Sequence, residues 1–325
     1  MSRFLPDLFV TLMVVSAILG FLLPELGASD GPLRLGLVTK FGIAFVFFLH
    51  GANLAPENLV SGVKNWRVHA LIQATTFVIF PILGLAIYFG LAPVLPESSR
   101  LGFFFLAALP STISSSVAMT VLAKGNVPVA VFNATLSGLL GLVLTPLMIS
   151  LITATGSVQF SLLDAVINIA LTLLAPFVLG QAVRPVIKRV LVANKPFISW
   201  IDRSVILLIV FTSFATSTAG GIWSGFTPLE LFVTLALVLV LLGLAFGFTI
   251  LTSRRLNLSR EDEVAAVFCG STKSLANGAP IAQILFAGSP LLGVILLPLM
   301  LYHQLQLVGC ALMAQRYAKR ADGLA

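Results

Sequence analysis

The sequence is poor in charged residues and in cysteine. Lys, Arg, Asp and Glu make up 10% of its 325 residues, whereas soluble domains carry about 25%, and it has no long polar stretch. This composition excludes a disordered chain, a collagen-like chain and a soluble enzyme on a membrane anchor. The two cysteines, Cys269 and Cys310, lie in apolar surroundings, which excludes a disulfide framework and a zinc cluster.

Apolar residues are abundant instead, at 58% of the chain. A helix that spans a bilayer needs about 20 of them, and ten runs approach or exceed that length. They cover residues 4–23, 33–50, 68–90, 101–122, 128–154, 162–183, 203–221, 229–251, 263–287 and 290–314. We therefore predict an all-α polytopic membrane protein with ten transmembrane helices. At the start of the eighth, Thr227-Pro228-Leu229-Glu230 predicts a capping box.

Basic residues predict the orientation. Of the 19 lysines and arginines, Arg34, Lys40 and Arg100 fall on one side of the predicted membrane, Lys273 falls within a span, and the others fall on the opposite side. Because cytoplasmic loops carry the excess of Lys and Arg, we expect both termini in the cytoplasm and an integral, multi-pass protein of the bacterial inner membrane or a similar membrane. The net charge of +7 follows from this bias, and we expect no nucleic-acid partner.

The two halves of the chain predict an inverted repeat. Ser111-Thr112-Ile113-Ser114 in span four is echoed by Ser271-Thr272-Lys273-Ser274 in span nine, and Pro128 and Pro290 open spans five and ten. With five spans per half, the second half enters the membrane from the opposite side, as in inverted-repeat transporters. The predicted five-helix repeats are residues 1–155 and 156–325.

Enzyme motifs are missing. The sequence has no His-Glu-x-x-His and no glycine-rich phosphate loop. Its acidic residues fall in loops or at span ends, so no intramembrane carboxylate is available for protease or prenyl-transfer chemistry. We expect a protein that is not an enzyme and that has neither a resident cofactor nor a metal site.

Spans four and nine carry helix breakers and hydroxyl groups at mid-membrane depth, in Pro110–Ser116 and Gly270–Pro280. Backbone groups at that depth need partners. An interrupted helix presents N–H groups at one end and carbonyls at the other, which suit anions and cations respectively. We expect a binding site here; close packing of small residues is the alternative.

Lys273 lies about ten residues into span nine, too deep to reach water easily, and no acidic residue lies at that depth. Its expected partners are carbonyls at the break, the serines of span four or an anionic solute. Its expected role is solute binding, proton transfer or a structural tie between the two broken helices.

Four stretches resemble the bile acid:sodium symporter family, and the likeness extends nearly end to end. They are His50–Asn58, Pro110–Ser116 with Leu122–Gly125, Thr145-Pro146 and Tyr302-His303-Gln304. Phe268–Ser274 is most similar to a divergent branch of sodium-dependent or bile-acid-type transporters. The resemblance implies a core domain of helices 3–5 and 8–10, in which broken helices 4 and 9 cross, a panel domain of helices 1, 2, 6 and 7, and alternating access.

The sodium positions of that family are partly replaced. Ser115 and Ser116 match the family's serine-asparagine pair in span four, without the asparagine. Thr272 stands at the position of its glutamine in span nine. Ala130 and Ala134 stand at the positions of its span-five hydroxyls, and Phe268 stands at the position of its glutamate. Lys273 stands at the asparagine that follows the glutamine. We therefore expect coupling by a sodium ion, by a proton, or by the charge of Lys273 in place of the ion.

Two sets of residues form the predicted site. The solute-binding set is Ser114, Asn133, Lys273, Asn277, His303 and Gln304. The set for the crossover or an ion is Ser115, Ser116, Ser137, Ser271, Thr272, Ser274 and Gln73. The resemblance places Ser114, His303 and Gln304 at positions similar to those that line the family's organic-anion cavity.

We predict a secondary active transporter, embedded in the lipid bilayer, for a small organic anion that is bile-acid-like or another carboxylate or sulfonate. One alternative is a membrane regulatory or scaffold protein that keeps the fold without transport. A channel is another, which single-channel conductance would reveal.

Single-cysteine variants in a background without Cys269 and Cys310 test the orientation. In intact cells, we expect Lys195→Cys to react only with a membrane-permeant maleimide and Arg100→Cys to react also with an impermeant one, because the basic loops stay in the cytoplasm. Labelling of both positions from the same side would contradict the orientation and the inverted repeat together.

Overall fold

The computed structural model describes residues 8–54, 65–153, 167–225 and 227–321. Their regular structure is helical, and these ranges contain no strand. The boundary between the predicted repeats and the end of the His50–Asn58 stretch lie outside the described residues.

The helices follow the apolar runs. In the first half they are α1 Leu8–Leu22, α2 Pro24–Gly27, α3 Leu35–Asn53, α4 Trp66–Gly90, α5 Glu97–Ala108, α6 Ser114–Leu122 and α7 Val127–Thr153. In the second half they are α8 Ile167–Ala193, α9 Lys195–Ala219, α10 Pro228–Arg255, α11 Arg260–Ser271, α12 Leu275–Leu285 and α13 Leu292–Ala321. A short 3₁₀ turn covers Ile222–Gly225.

Seven helices of the described ranges are long and apolar enough to cross a bilayer, namely α3, α4, α7, α8, α9, α10 and α13. Large apolar side chains stand on their outer faces, including Phe41 at 74% exposure and Phe232 at 69%. Apolar surface of this extent has a lipid environment rather than water as its partner. The prediction of an all-helical polytopic membrane protein is confirmed. The pairs α5/α6 and α11/α12 are shorter because the chain leaves the helix at residues 109–113 and 272–274.

Local sequence explains the start of α10. The predicted capping box is present: the Glu230 amide donates to Thr227 Oγ1 at 3.2 Å, and the Thr227 amide donates to Glu230 Oε2 at 2.8 Å. Two free N–H groups at the helix start are thereby satisfied, and that prediction is confirmed.

Two prolines explain two π-helical turns, at Thr75–Ile79 in α4 and Ala170–Leu174 in α8. Each turn ends two residues before a proline, Pro81 or Pro176. Proline has no N–H and crowds the preceding turn, and a wider turn accommodates both effects. In α4 the Phe80 amide bonds to the carbonyl of Thr75, so neither Phe80 nor Pro81 donates to the carbonyl of Thr76.

The chain divides into two compact units. Unit 1 comprises Met1–Leu54, Phe160–Phe226 and Ala279–Leu296, and unit 2 comprises Ala55–Gln159, Thr227–Gly278 and Leu297–Ala325. All the predicted site residues belong to unit 2.

Unit 1 contains a close glycine contact between α3 and α8. A Cβ on Gly51 would lie 1.9 Å from the carbonyl oxygen of Phe177, and one on Gly180 would lie 2.0 Å from that of Phe48. Only glycine permits this approach. Small residues at helix contacts are the usual way for membrane helices to pack closely.

Unit 2 is built around α11. Every residue from Asp262 to Ser271 is buried, because α4, α6, α7 and α10 all pack against this helix. At its start, Asp262 accepts hydrogen bonds from Asn65 Nδ2 and Asn126 Nδ2, each at 2.8 Å. The break after Ser271 is therefore enclosed by protein on several sides, as broken helices in membranes require.

Candidate functional site

The two helix breaks meet inside unit 2. The Ser274 amide donates to the carbonyl of Pro110 at 2.9 Å. The Thr272 hydroxyl lies 2.9 Å from Ser111 Oγ and 2.7 Å from Ser116 Oγ. We call the residues joined at this point the crossover network: Ser111, Ser116, Ser137, Thr145, Ser271, Thr272, Lys273, Ser274, Tyr302, His303 and Gln306.

Other helices satisfy the carbonyl end of α5. The helix ends at Ala108, two residues before Pro110, which has no N–H to continue the ladder. Thr145 Oγ1 donates to the carbonyl of Ala108 at 2.7 Å. Lys273 Nζ donates to the carbonyls of Ala107 and Leu109, both at 2.7 Å.

Lys273 is completely buried. Its Nζ donates a third hydrogen bond, at 3.0 Å, to the carbonyl that the proline-induced π turn leaves free at Thr76. Nζ also lies 4.1 Å from the centre of the Phe80 ring, within the range of a cation–π contact. Three acceptors around one nitrogen match the three N–H groups of an ammonium. When protonated, Lys273 places a positive charge at the carbonyl end of α5, where the helix dipole is negative.

Helix α13 holds the backbone of the second break. Gln306 Oε1 accepts from the Lys273 amide at 2.7 Å, and Gln306 Nε2 donates to the Lys273 carbonyl at 2.9 Å. The same Nε2 lies 3.0 Å from His303 Nδ1. Tyr302 Oη donates to the carbonyl of Ser271 at 2.6 Å. One helix therefore pairs the polar backbone groups on both sides of Thr272.

The remaining hydroxyls complete the network. Ser137 Oγ accepts from the Ser111 amide at 2.9 Å, and Thr272 Oγ1 donates to the carbonyl of Phe268 at 2.8 Å. Ser271 Oγ donates to the carbonyl of Val267. Ser274 Oγ caps α12 by accepting from the Asn277 amide at 3.1 Å.

A second polar group, which we call the Asn133 cluster, comprises His69, Gln73 and Asn133. Gln73 Nε2 lies 3.2 Å from both the carbonyl oxygen and Oδ1 of Asn133, and Asn133 Nδ2 lies 2.8 Å from His69 Nδ1. Gln73 and Asn133 make no hydrogen bond to the crossover network. Gln73 Oε1 is buried without a partner among the described residues.

The side chains of Ser114, Ser115 and Asn277 form no hydrogen bond with the crossover network in the described part of the chain. Ser114 is exposed on the first turn of α6, and Ser115 Oγ is buried without a partner in the described part of the chain. Asn277 is half-buried, with Nδ2 3.7 Å from the place of a Cβ on Gly138. Gln304 is half-buried on α13.

Acidic groups are absent from both breaks. The acidic residues nearest in sequence to Thr272, Asp262 and Glu263, lie at the other end of α11. Within the described ranges, no three His, Cys, Asp or Glu side chains form a group that could hold a metal ion. Lys273 is therefore the ionisable group with the highest ordinary pKa in the crossover network.

Two important groups of the crossover network were not assigned from the sequence. The Thr76 carbonyl is one, and its signal is Pro81, five residues later, which cannot donate the hydrogen bond that a π turn would offer. Gln306 is the other. It stands one helical turn after His303 and therefore on the same face of α13.

Two helix breaks that meet within a bundle of apolar helices are typical of secondary transporters. Residues 7–319 match the model of the SBF-like CPA transporter family (DUF4137). The chain belongs to this family and is a membrane transporter. The resemblance noted in the sequence is thereby confirmed.

Relatives agree with this assignment. An uncharacterized protein of Pseudomonas aeruginosa is 44% identical over 99% of this chain and 96% of the relative. The Escherichia coli protein named "Putative symporter YfeH" is 40% identical over 88% of this chain and 86% of the relative. Sodium/bile acid cotransporter 7 of Rattus norvegicus is 30% identical over 95% and 91%. Those names that state a function are names of transporters, not of enzymes, as predicted.

Gln306→Leu tests how the break is held. The variant leaves the buried N–H and C=O of Lys273 unpaired, and each such group costs about 1–3 kcal/mol, so we expect a clear fall in the thermal unfolding midpoint of the purified protein. Gln306→Glu keeps an acceptor for the Lys273 amide and should lower the unfolding midpoint less. Gln315→Leu, at an exposed position of the same helix, is the control; an equal loss there would contradict this role of Gln306.

Proposed function

We propose that the protein is a secondary active transporter of a small organic anion by alternating access. The observation that carries the proposal is the charge distribution at the crossover network. The negative helix end of α5 is neutralised by Lys273, whereas the positive starts of α6 and α12 face no carboxylate from either break.

The start of α6 favours an anion. N–H groups in the first turn of a helix bind carboxylate, sulfonate or phosphate, and the helix dipole adds to the attraction. At α6 this turn carries exposed Ser114, whose hydroxyl can donate to the same ligand. We infer that the solute places its anionic group near α6 and that Asn277, His303 and Gln304 contact its polar body.

We propose the inverted repeat as the architecture of the whole chain, with ten transmembrane helices. It is supported by the order of elements: α5, a break, α6 and long α7 in one half correspond to α11, a break, α12 and long α13 in the other. Helix α1 would supply the first span. The predicted repeats, residues 1–155 and 156–325, each contain one such set.

The panel and core domains are also proposed. The division of the chain into units supports them, since unit 1 contains the first two predicted spans with the sixth and seventh, and unit 2 contains the third to fifth with the eighth. Residues Ala279–Leu296 fall in unit 1, although the proposal assigns their helices to the core. Alternating access would use a relative movement of these two domains.

We propose the bacterial inner membrane as the location, with both termini in the cytoplasm. The bias of lysine and arginine supports the orientation, and the relatives from Pseudomonas aeruginosa and Escherichia coli support a bacterial membrane.

We propose that Lys273 replaces a coupling ion. The animal relatives are named sodium/bile acid cotransporters, which makes sodium the first ion to test here. In this chain the ammonium of Lys273 already occupies a carbonyl-rich position, and completely buried Phe268 stands where the family has a glutamate. Two positive charges a few ångströms apart repel strongly at low dielectric, so a sodium ion and charged Lys273 should exclude each other there.

A solute screen tests the transport proposal. We expect an organic carboxylate or sulfonate to raise the thermal unfolding midpoint of the purified protein, because a ligand of the folded state stabilises it. Ser114→Ala, His303→Ala and Gln304→Ala should each weaken this ligand about 5- to 30-fold, the value of one to two lost hydrogen bonds.

His50→Ala in unit 1 is the control, because His50 belongs neither to the crossover network nor to the Asn133 cluster. Equal effects at all four positions would show that the solute does not bind at this site. A lack of response to every anion would favour the regulatory or scaffold alternative.

Sodium dependence tests the role of Lys273. We expect solute binding by the unmodified protein to be the same in sodium and choline buffers, because the cation site is already filled. Lys273→Ala should lose binding or acquire a requirement for sodium, while Lys273→Met, which fills the space without a charge, should lose binding in both buffers.

Lys273→Arg keeps the charge but cannot release a proton, so transport that survives in it would exclude proton transfer by this residue. Strong sodium stimulation of the unmodified protein, unchanged in Lys273→Ala, would show that the proposed replacement is wrong.

A further inference from the structure

The end of α8 and the start of α9 form an exposed corner of unit 1. Helix α8 ends at Ala193 and α9 starts at Lys195, and we call residues 179–200 the α8–α9 corner. On its inner side, Leu191 of α8 and Ile198 of α9 belong to one apolar cluster with the end of α3. The corner contains no residue of the crossover network, of the Asn133 cluster or of the predicted solute-binding set, so the proposed transport function does not account for its outer surface.

An apolar strip runs along the outer face of α8. Leu179, Val186 and Val190 are 57%, 83% and 62% exposed. They stand seven and four residues apart in the sequence, so they lie on one side of the helix. At 1.5 Å per residue, Leu179 and Arg189 are separated by about 15 Å along the helix axis, which is half of the bilayer's hydrocarbon thickness of about 30 Å. The strip therefore has the length of the acyl chains of one leaflet.

Two basic side chains stand at the end of this strip. Lys188 and Arg189 are exposed, and neither forms an ion pair with a described residue. Asp202 is the one acidic residue in the sequences of α8 and α9, and its carboxylate lies 3.3 Å from Nε2 of His50. The charge at the corner is therefore positive, and it favours an anionic partner.

The start of α9 adds aromatic surface beside the basic groups. Phe197 is 63% exposed and Trp200 is 69% exposed, and their spacing of three residues places them on one side of the helix. The apolar cluster that joins Leu191 to Ile198 holds the two helix ends side by side. Tryptophan is enriched where a membrane meets water, because its ring is apolar and its N–H needs a polar partner.

We propose that the α8–α9 corner binds an anionic phospholipid of the surrounding bilayer. Its acyl chains lie along Leu179, Val186 and Val190, and its phosphate lies at Lys188 and Arg189. Trp200 stands at the boundary between the two parts of the lipid. An acidic soluble protein would match the basic groups, but it would leave uncovered the apolar strip that continues into the membrane-spanning part of α8. The lipid matches both.

The fluorescence of Trp200 tests this proposal in the full-length protein. The chain has three tryptophans, and Trp66→Phe with Trp223→Phe leaves Trp200 as the only one. In phosphatidylcholine vesicles, a small fraction of lipid with brominated chains quenches a tryptophan that those chains touch. We expect brominated phosphatidylglycerol to occupy the corner at least about 5-fold more strongly than phosphatidylcholine brominated at the same position, because each basic group near the surface contributes about 5-fold.

Variants assign the lipid preference to the corner. Lys188→Gln with Arg189→Gln, in the protein that retains Trp200 alone, should lower the preference for phosphatidylglycerol at least about 5-fold, and the exposed positions of both residues leave folding intact. Arg316→Gln with Lys319→Gln is the matched control. It removes one arginine and one lysine from exposed positions of α13 and should leave the preference unchanged.

Three results would overturn the proposal. Equal quenching by the two brominated lipids would show that the basic groups select no lipid. An equal loss of preference in the two double variants would assign the preference to the total charge of the protein rather than to the corner. A lack of quenching by either lipid would place Trp200 in water and leave an acidic soluble partner as the occupant of the corner.

Discussion

A helix that stops inside the hydrocarbon core leaves carbonyl groups that water cannot reach, and unit 2 is arranged around this constraint. Pro110 prevents α5 from continuing, and the carbonyls at its end must find donors elsewhere. Thr145 supplies one from α7, and Lys273 supplies two more from the break between α11 and α12. Since an unpaired buried carbonyl costs about 1–3 kcal/mol, the end of α5 determines where both side chains stand.

A buried charge with no acid beside it is ordinarily unfavourable, so the surroundings of Lys273 must replace the water that it has lost. Three carbonyls, an aromatic face and the negative end of α5 do so together. The third carbonyl depends on Pro81, because without the proline the α4 backbone would use the Thr76 oxygen itself. A substitution at Pro81 would therefore act on the charge at the crossover from a helix that contains neither break.

The local features of this architecture were predictable from the sequence, and the long-range ones were not. The apolar runs indicated the membrane class, and Thr227 to Glu230 indicated a cap, because periodicity and caps depend on neighbouring residues. The depth of Lys273 and the lack of an acid indicated an unusual partner. Its carbonyl partners at Thr76, Ala107 and Leu109 lie more than 160 positions away along the chain. They are determined by the packing of α4, the end of α5 and the break after α11, which the sequence alone does not reveal. That Asn133 bonds to His69 and Gln73 and not to the crossover network depends on packing in the same way.

Solvent and salt screen the basic groups of the two units to different extents. Arg34 and Lys40 are exposed, so salt screens their fields over about 8–10 Å, and they can attract an anion from solution in a salt-dependent manner. Lys273 is buried, so salt screens it little, and it cannot leave as a bound sodium ion can. If it replaces the coupling ion, as proposed, the site keeps one positive charge in every state of the transport cycle unless the lysine loses its proton. The energy for uphill transport would then have to come from a proton, or from the solute's own gradient, and not from the release of a cation at the crossover.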